Sequence, residues 1–265
     1  MSDLNDGDGR VGVSFSDDGL VATILVDREA KLNALTLSML AQLEHVCREV
    51  DSSRARVVVV RSAGSRVFCV GADINHFSGL DSVAMLRRWV ADGHRAFDAL
   101  ARLRQPTIAI VDGLALGGGF ELALACDFRI ATAEAAFGLP EVGLGTVPGW
   151  GGTERLTDMV GRSRAKEVVL TRRQLNCAES ASWGLVTLLV SRGALDAELE
   201  LFIGQLMGSA PVAAQLAKRI IDAAADGAAS STLEALASGL AVSTADHREG
   251  LAAFREKRTP TFIDA

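Results

Sequence analysis

The 265-residue chain is 49% hydrophobic, enough to bury one large core or a core with a small appendage. Its formal charge of −6 gives it no general attraction for nucleic acid or for an anionic membrane, so any phosphate-bearing ligand must be held by local basic residues. No apolar run approaches the ~20 residues of a membrane span, and the polar, acidic start MSDLNDGDGR is no signal peptide, so a soluble, intracellular, cytoplasmic protein is expected.

In chain order, residues 1–10 are expected to form a disordered tail. VGVSFSDDGLVATILVD (11–27) reads as two strands joined by a turn at Asp17, Asp18 and Gly19. TLSMLAQLEHVCREV (36–50) reads as an amphipathic helix capped by Thr36, with Leu40, Leu43, Val46, Cys47 and Val50 on one face. RVVVVRS (56–62) is short, continuous and β-branched, the pattern of a strand buried on both faces; TIAIVDG (107–113) and CDFRIAT (126–132) read likewise. Helical patterns lie near 82–103, 118–125 and 151–159. This alternation predicts an α/β core over 11–190, built from repeated βαβ-like units. After about residue 190 four helical stretches follow one another, within 194–209, 211–226, 231–244 and 246–258, so 191–265 is expected to be a helical subdomain. Cys47, Cys69, Cys126 and Cys177 are widely spaced, with no CxxC pair, and are expected to be reduced and buried.

Three stretches could carry chemistry. VDGLALGGGFELALACD (111–127) ends a strand at Val111 and opens a helix near Gly118. Three glycines there weaken a helix, by about 1 kcal/mol each relative to alanine, but they leave bare N–H groups at its positive end, where no intrahelical acceptor exists. Glu121, in the first turn among apolar residues, points toward the same place; it is either a catalytic carboxylate or a residue favoured only by the helix dipole. CVGADINHFSGL (69–80) offers a second strand–turn–helix passage at Gly71, Ala72 and Asp73, with Asp73 as a cap in the plainer reading. AAFGLPEVGLGTVPGWGGTERL (135–156) is dense in Gly and Pro around Trp150, which predicts a buried, shaped loop carrying Glu141. No Rossmann GxGxxG, P-loop, GxSxG elbow or HExxH pair is present, and the four histidines have no metal-ligand spacing.

Taken together, REAKLNAL (28–35), GADI (71–74), DGLALGGGFELALACDFRIAT (112–132), FGLPEVGLGTVPGWGGTERL (137–156) and EGLAAFREKR (249–258) stand in the order seen in the enoyl-CoA hydratase/isomerase, or crotonase, superfamily, which the chain resembles along nearly its whole length. The resemblance implies a spiral of ββα units followed by C-terminal helices that build a homo-trimer, often paired into a hexamer. It implies that the backbone N–H groups of Ala72 and Gly118 form an oxyanion hole for a CoA thioester, and that Glu121 and Glu141 are the two catalytic glutamates of a hydratase. Val70, Asp73 and Ile74 are then expected near the adenine and pantetheine. Arg28, Lys31 and a neighbouring subunit's Lys257 are candidates for the CoA phosphates, because Asn75 replaces a lysine many relatives carry. The implied partner is an acyl-CoA thioester, with no metal and no separate cofactor, coenzyme A being part of the substrate. Sister activities in the superfamily are double-bond isomerisation, which needs only one base, and specialised dehydration. Relatives relying on a catalytic tyrosine are excluded because tyrosine is absent. An RNA-binding relative would need a basic face that the helix at 36–50 does not offer.

Overall fold

The computed structural model describes residues 8–265; most of the expected tail, residues 1–7, lies outside the described residues. Strands β1 (Arg10–Phe15) and β2 (Val21–Asp27) form an antiparallel hairpin. Asp18 makes its turn by accepting from the Ser16 hydroxyl (2.7 Å) and the Leu20 N–H (2.9 Å). Helix α1 (Leu37–Asp51) starts where Thr36 Oγ1 accepts from Met39 N at 3.2 Å, and the five apolar residues expected on its inner face are all buried.

From β3 to β8 consecutive strands alternate between two sheets. β3 (Val57–Ser62) is followed by β4 (Val67–Cys69), β5 (Thr107–Val111) by β6 (Leu114–Leu116), and β7 (Phe128–Thr132) by β8 (Ala136–Gly138); β9 (Leu175–Asn176) and β10 (Leu188–Val190) close the series. The large sheet has the order β1-β2-β3-β5-β7-β10 and the small one β4-β6-β8-β9. Within the large sheet, side chains of one strand go to opposite faces. Val58, Val60, Ala109 and Val111 enter the main core with Leu40, Leu43, Phe97 and Phe120. Val57, Val59, Ile108 and Ile110 meet Leu195, Leu199 and Phe202 on the other face. Burial on both faces is why these strands read as unbroken apolar runs.

The passage from β4 to β5 contains α2 (Ile74–Phe77), α3 (Ser82–Ala84), a π-helical segment (Met85–Val90) and α4 (Ala91–Ala101); the last three are contiguous, so the helix expected near 82–103 is present, with a π-helical segment inside it. α5 (Gly118–Leu124) follows β6. α6 (Gly152–Thr171) is broken at Gly161, whose φ of 77° is non-helical, so its first part matches the helix expected at 151–159 and a second helical part, not foreseen, follows the break. α7 (Cys177–Ser182) precedes β10. The four expected C-terminal helices are α8 (Leu195–Met207), α9 (Pro211–Ala225), α10 (Ser230–Val242) and α11 (Ala245–Glu256). α8 supplies the apolar residues that cover the second face of the large sheet. The four cysteines are free and buried. No helix among the described residues is long and apolar enough to cross a membrane.

Candidate active site

Strands β4, β6 and β8 lie side by side and parallel, so their carboxyl ends open at one edge of the small sheet. Each is followed within a few residues by sequence-predicted groups: Ala72 after β4, Gly118 and Glu121 after β6, Glu141 after β8. The carboxyl ends of parallel strands are where α/β sheets commonly hold ligands.

After β4, Leu35 N–H donates to Gly71 O (2.7 Å) and Asp73 N–H donates to Leu35 O (2.9 Å). Ala72 lies between these bonds, and extended backbone alternates direction, so its N–H faces away from Leu35. After β6, Gly117 takes φ 52° and donates to Gly138 O at 2.9 Å, while Gly118 begins α5. The Gly118 N–H has no intrahelical acceptor and lies at the positive end of the helix. The two segments touch. A Cβ on Gly71 would stand 2.9 Å from Gly118 N, covering that donor, and Gly71 itself has φ 99°. Glycine is required there on both counts.

Glu121 is 2% exposed. Its Oε1 accepts from Trp150 N and from Gly152 N, both at 2.8 Å. Both bonds fall on one oxygen, so neither occupies Oε2. Burial raises the Glu121 pKa, opposed by those two N–H donors and by the charges of His94 and Arg155. Gly152 is confined to glycine by the same contact, since a Cβ there would lie 2.5 Å from Glu121 Cγ. Glu141 opens a 3₁₀ turn (Glu141–Leu144), and its Oε1 would be 2.9 Å from a Cβ on Gly117, which places the carboxyl against the α5 entry. Burial pushes the Glu141 pKa up to about 7; a bond to its own backbone lowers it and the charge of Glu121 adds to the rise. Its Oε2 is buried without a hydrogen-bond partner. The loop expected to be buried is so only at its ends: Leu144 and Val147 are exposed, whereas Trp150, Gly151 and Gly152 are packed beneath Glu121.

The residues expected at the CoA end separate into two groups. Arg28 Nη1 donates to Asp73 Oδ2 (2.7 Å) and to Ala34 O (3.1 Å), and both members of this ion pair are nearly buried. Burial works against the Asp73 charge, but the bonds from Arg28 and Asn75 N–H hold its pKa below the usual value. Ile74 and Lys31 are exposed beside them and Val70 is half-buried. Lys257 is exposed at the left-handed end of α11. The sequence reading missed the backbone donors of Trp150 and Gly152; the PGWGG run around them was its only signal. It also left His94 unassigned, though His94 is near enough for its charge to act on Glu121.

Two bare N–H donors therefore adjoin two carboxylates, one dry and braced, the other near neutrality in its proton affinity. That set can stabilise a developing oxyanion and move a proton beside it.

Comparison with known proteins identifies the family. The model of the enoyl-CoA hydratase/isomerase family matches residues 17–265. A protein named probable enoyl-CoA hydratase 2, mitochondrial, of Arabidopsis thaliana is 39% identical over 253 residues, spanning 94% of this chain and 83% of that protein. The short-chain-enoyl-CoA hydratase of Clostridium acetobutylicum is 36% identical over 249 residues, 93% of this chain and 95% of that one. The crystal structure of an enoyl-CoA hydratase from Bacillus anthracis superposes with a TM-score of 0.90 at 34% identity, covering 96% of this chain and 99% of that chain.

Proposed function

Because the chain belongs to the enoyl-CoA hydratase/isomerase family, we propose that it adds water reversibly across the 2,3 double bond of a trans-2-enoyl-CoA. The thioester oxygen lies between the N–H groups of Ala72 and Gly118. Glu121 takes a proton from the water that attacks Cβ. Glu141, protonated, gives a proton to Cα as the enolate collapses. The cycle closes when the proton left on Glu121 passes back to Glu141 through the next water. The supporting observation is the asymmetry of the carboxylates. Glu121 is braced through one oxygen and keeps the other for water, whereas Glu141 has a pKa pushed up to about 7 and so retains a proton near neutrality. An isomerase needs one base; two unlike carboxylates at one opening favour hydration.

The nucleotide end of the substrate lies on the exposed side of Val70 and Ile74, with Lys31 and a neighbouring subunit's Lys257 toward the phosphates. Arg28 and Asp73 hold the Gly71–Ala72 turn through each other. The exposed apolar side chains of the C-terminal helices favour a homo-trimer or a dimer of trimers. A cytoplasmic location fits the acidic chain.

Loss of enoyl absorbance on mixing with crotonyl-CoA tests the reaction. Formation of the 3-hydroxyacyl thioester is expected. No change with crotonyl-CoA or any longer enoyl-CoA, or migration of the double bond in its place, overturns it.

A further inference from the structure

The indole of Trp150 occupies an unusual place. It is 2% exposed, and a Cβ added to Gly118 would lie 2.4 Å from its ring. The same residue's N–H braces Glu121. One residue thus adjoins both groups: its ring lies against Gly118, whose N–H would hold the thioester oxygen, and its backbone N–H holds the carboxylate that would act at Cβ.

The ring is fixed on every side. Its Nε1–H donates to Trp89 O at 3.1 Å, in the π-helical segment. Trp89 packs on it at 5.3 Å between centroids, and Phe97 meets it edge-on at 5.4 Å. Arg155 Nη1 donates to Trp150 O at 2.9 Å while Arg155 Nη2 pairs with Asp98 at 2.6 Å. Gly93 lies within α4, and a Cβ there would stand 2.0 Å from the indole. Glycine inside a helix is unfavourable by about 1 kcal/mol against alanine. Here it makes the slot that admits the ring.

We propose that Trp150 is a specificity-determining wall that limits the acyl group to short enoyl thioesters, of about four to six carbons. The inference rests on the hydratase reading for the direction of the substrate. With the oxygen at Gly118 and Cβ at Glu121, an acyl chain extended past Cβ meets the indole. A ring held by a hydrogen bond, two aromatic neighbours and a helix slot does not swing aside as a lone leucine would. Removing it leaves an apolar space comparable with an engineered cavity of about 150 Å³ that admits benzene. That is room for roughly four methylenes, each worth about fourfold in affinity when buried.

The test measures kcat/KM for four-, six-, eight- and ten-carbon trans-2-enoyl-CoAs in the wild type, Trp150→Phe and Trp150→Ala. Calorimetric affinities for butyryl-CoA and decanoyl-CoA are measured on the same proteins. The wild type should favour the four-carbon over the ten-carbon substrate by at least about 30-fold. Trp150→Ala should raise the ten-to-four ratio at least tenfold, with Trp150→Phe between; using a ratio cancels any general loss from disturbing Glu121. If Trp150→Ala does not fold, the wild-type and phenylalanine series still decide. Equal use of long and short substrates by the wild type, or a ratio unmoved in a folded variant, overturns the wall. If no thioester is hydrated but decanoyl-CoA binds worse than butyryl-CoA and Trp150→Phe narrows the gap, the hydratase reading falls and the wall stands.

Discussion

Helices α5 and α10 are written in nearly the same alphabet, GGFELAL and SSTLEALASGLAV, yet all seven residues of α5 are buried and none of the residues of α10 is. The difference lies in what holds each helix. α5 is anchored at both ends. At its start Gly117 bonds to Gly138. At its finish the buried guanidinium of Arg129 donates to Ala123 O (3.1 Å) and Cys126 O (2.6 Å), placing a cation at the negative end of the helix. α10 packs along α9 and leaves Leu236 69% and Leu240 54% exposed. Small apolar residues let backbones come close in both. In α5 that closeness brings a bare N–H and a carboxylate to a fixed point, whereas in α10 it leaves a face with no partner among the described residues.

The comparison breaks most severely at the α5 end of the molecule. Glu121→Gln and Glu141→Gln should each lower crotonyl-CoA turnover by about 10²–10⁴-fold, the usual scale of general acid–base catalysis. Affinity for CoA and the circular dichroism spectrum should stay the same. Near wild-type turnover in either variant removes that carboxylate from the mechanism. Next in size is the oxyanion donor. Gly118→Pro deletes the N–H, and Gly71→Ala places a Cβ 2.9 Å from Gly118 N. Losing one such donor typically costs about 2.7–4 kcal/mol, or about 10²–10³ in kcat. Gly71→Ala removes neither glutamate nor the donor atom itself but must displace the backbone around it, so a folded variant with full kcat shows that the charge develops elsewhere.

A smaller effect separates the carboxylates by pH. The folded-state pKa of Glu141 is pushed up to about 7, above the unfolded carboxylate range. Its protonated form therefore contributes stability that is fully present below the unfolded pKa and is lost as pH rises through about 7. Glu141→Gln should melt less steeply with pH over that window and be the more stable protein above it. Each kcal/mol corresponds to about 2–4 °C for a chain of this size. In the wild type, kcat/KM for hydration should fall above the same pH, as the donor loses its proton. The inflection belongs to the coupled pair of glutamates, and it should vanish or move in Glu141→Gln. Parallel stability profiles for wild type and variant would show that Glu141 is an ordinary solvated carboxylate.

Much of this arrangement was legible in the sequence, for reasons that mark the limits of such reading. β3, β5 and β7 announce themselves as β-branched runs because both faces of the large sheet are covered. Thr36 and the spacing of Leu40, Leu43 and Val50 define α1 because cap and stripe agree. The small sheet was not visible: β6 and β8 have three residues each, too few for any periodicity, and they are held by their parallel neighbours. This sheet brings Ala72, Gly118 and Glu141 to one edge, so the members of the site could be named while their meeting place could not. Arg28 was expected at the CoA phosphates; its pairing with Asp73 depends on two loops 45 residues apart in sequence. Trp150 stood out only as an odd aromatic among glycines, and the slot at Gly93 that receives it is more than fifty positions away.

The least disruptive change sharpens the other half of the comparison. Leu236 and Leu240 lie on α10 with most of their side chains in solvent, and Phe254 on α11 is 84% exposed. Within one subunit these positions touch little, so Leu236→Glu with Leu240→Glu should alter the stability of the isolated fold by no more than about 0.5 kcal/mol each, the range of ordinary surface changes. In an assembly the same changes place carboxylates where apolar surface is removed from water, and an unpaired buried charge is strongly unfavourable. The expected outcome is a lower mass by light scattering at micromolar concentration, with the secondary structure of the wild type retained. Turnover should fall only as far as the active site depends on its neighbour, through Lys257 at the end of α11. Lys257→Ala, made in the assembled protein, should then raise KM for crotonyl-CoA more than it lowers kcat. If the double variant keeps the wild-type mass, α10 does not face a neighbouring subunit. If the wild type itself is a fully active monomer, neither α10 nor Lys257 has the role given to it, and the apolar face of α10 is surface in the ordinary sense.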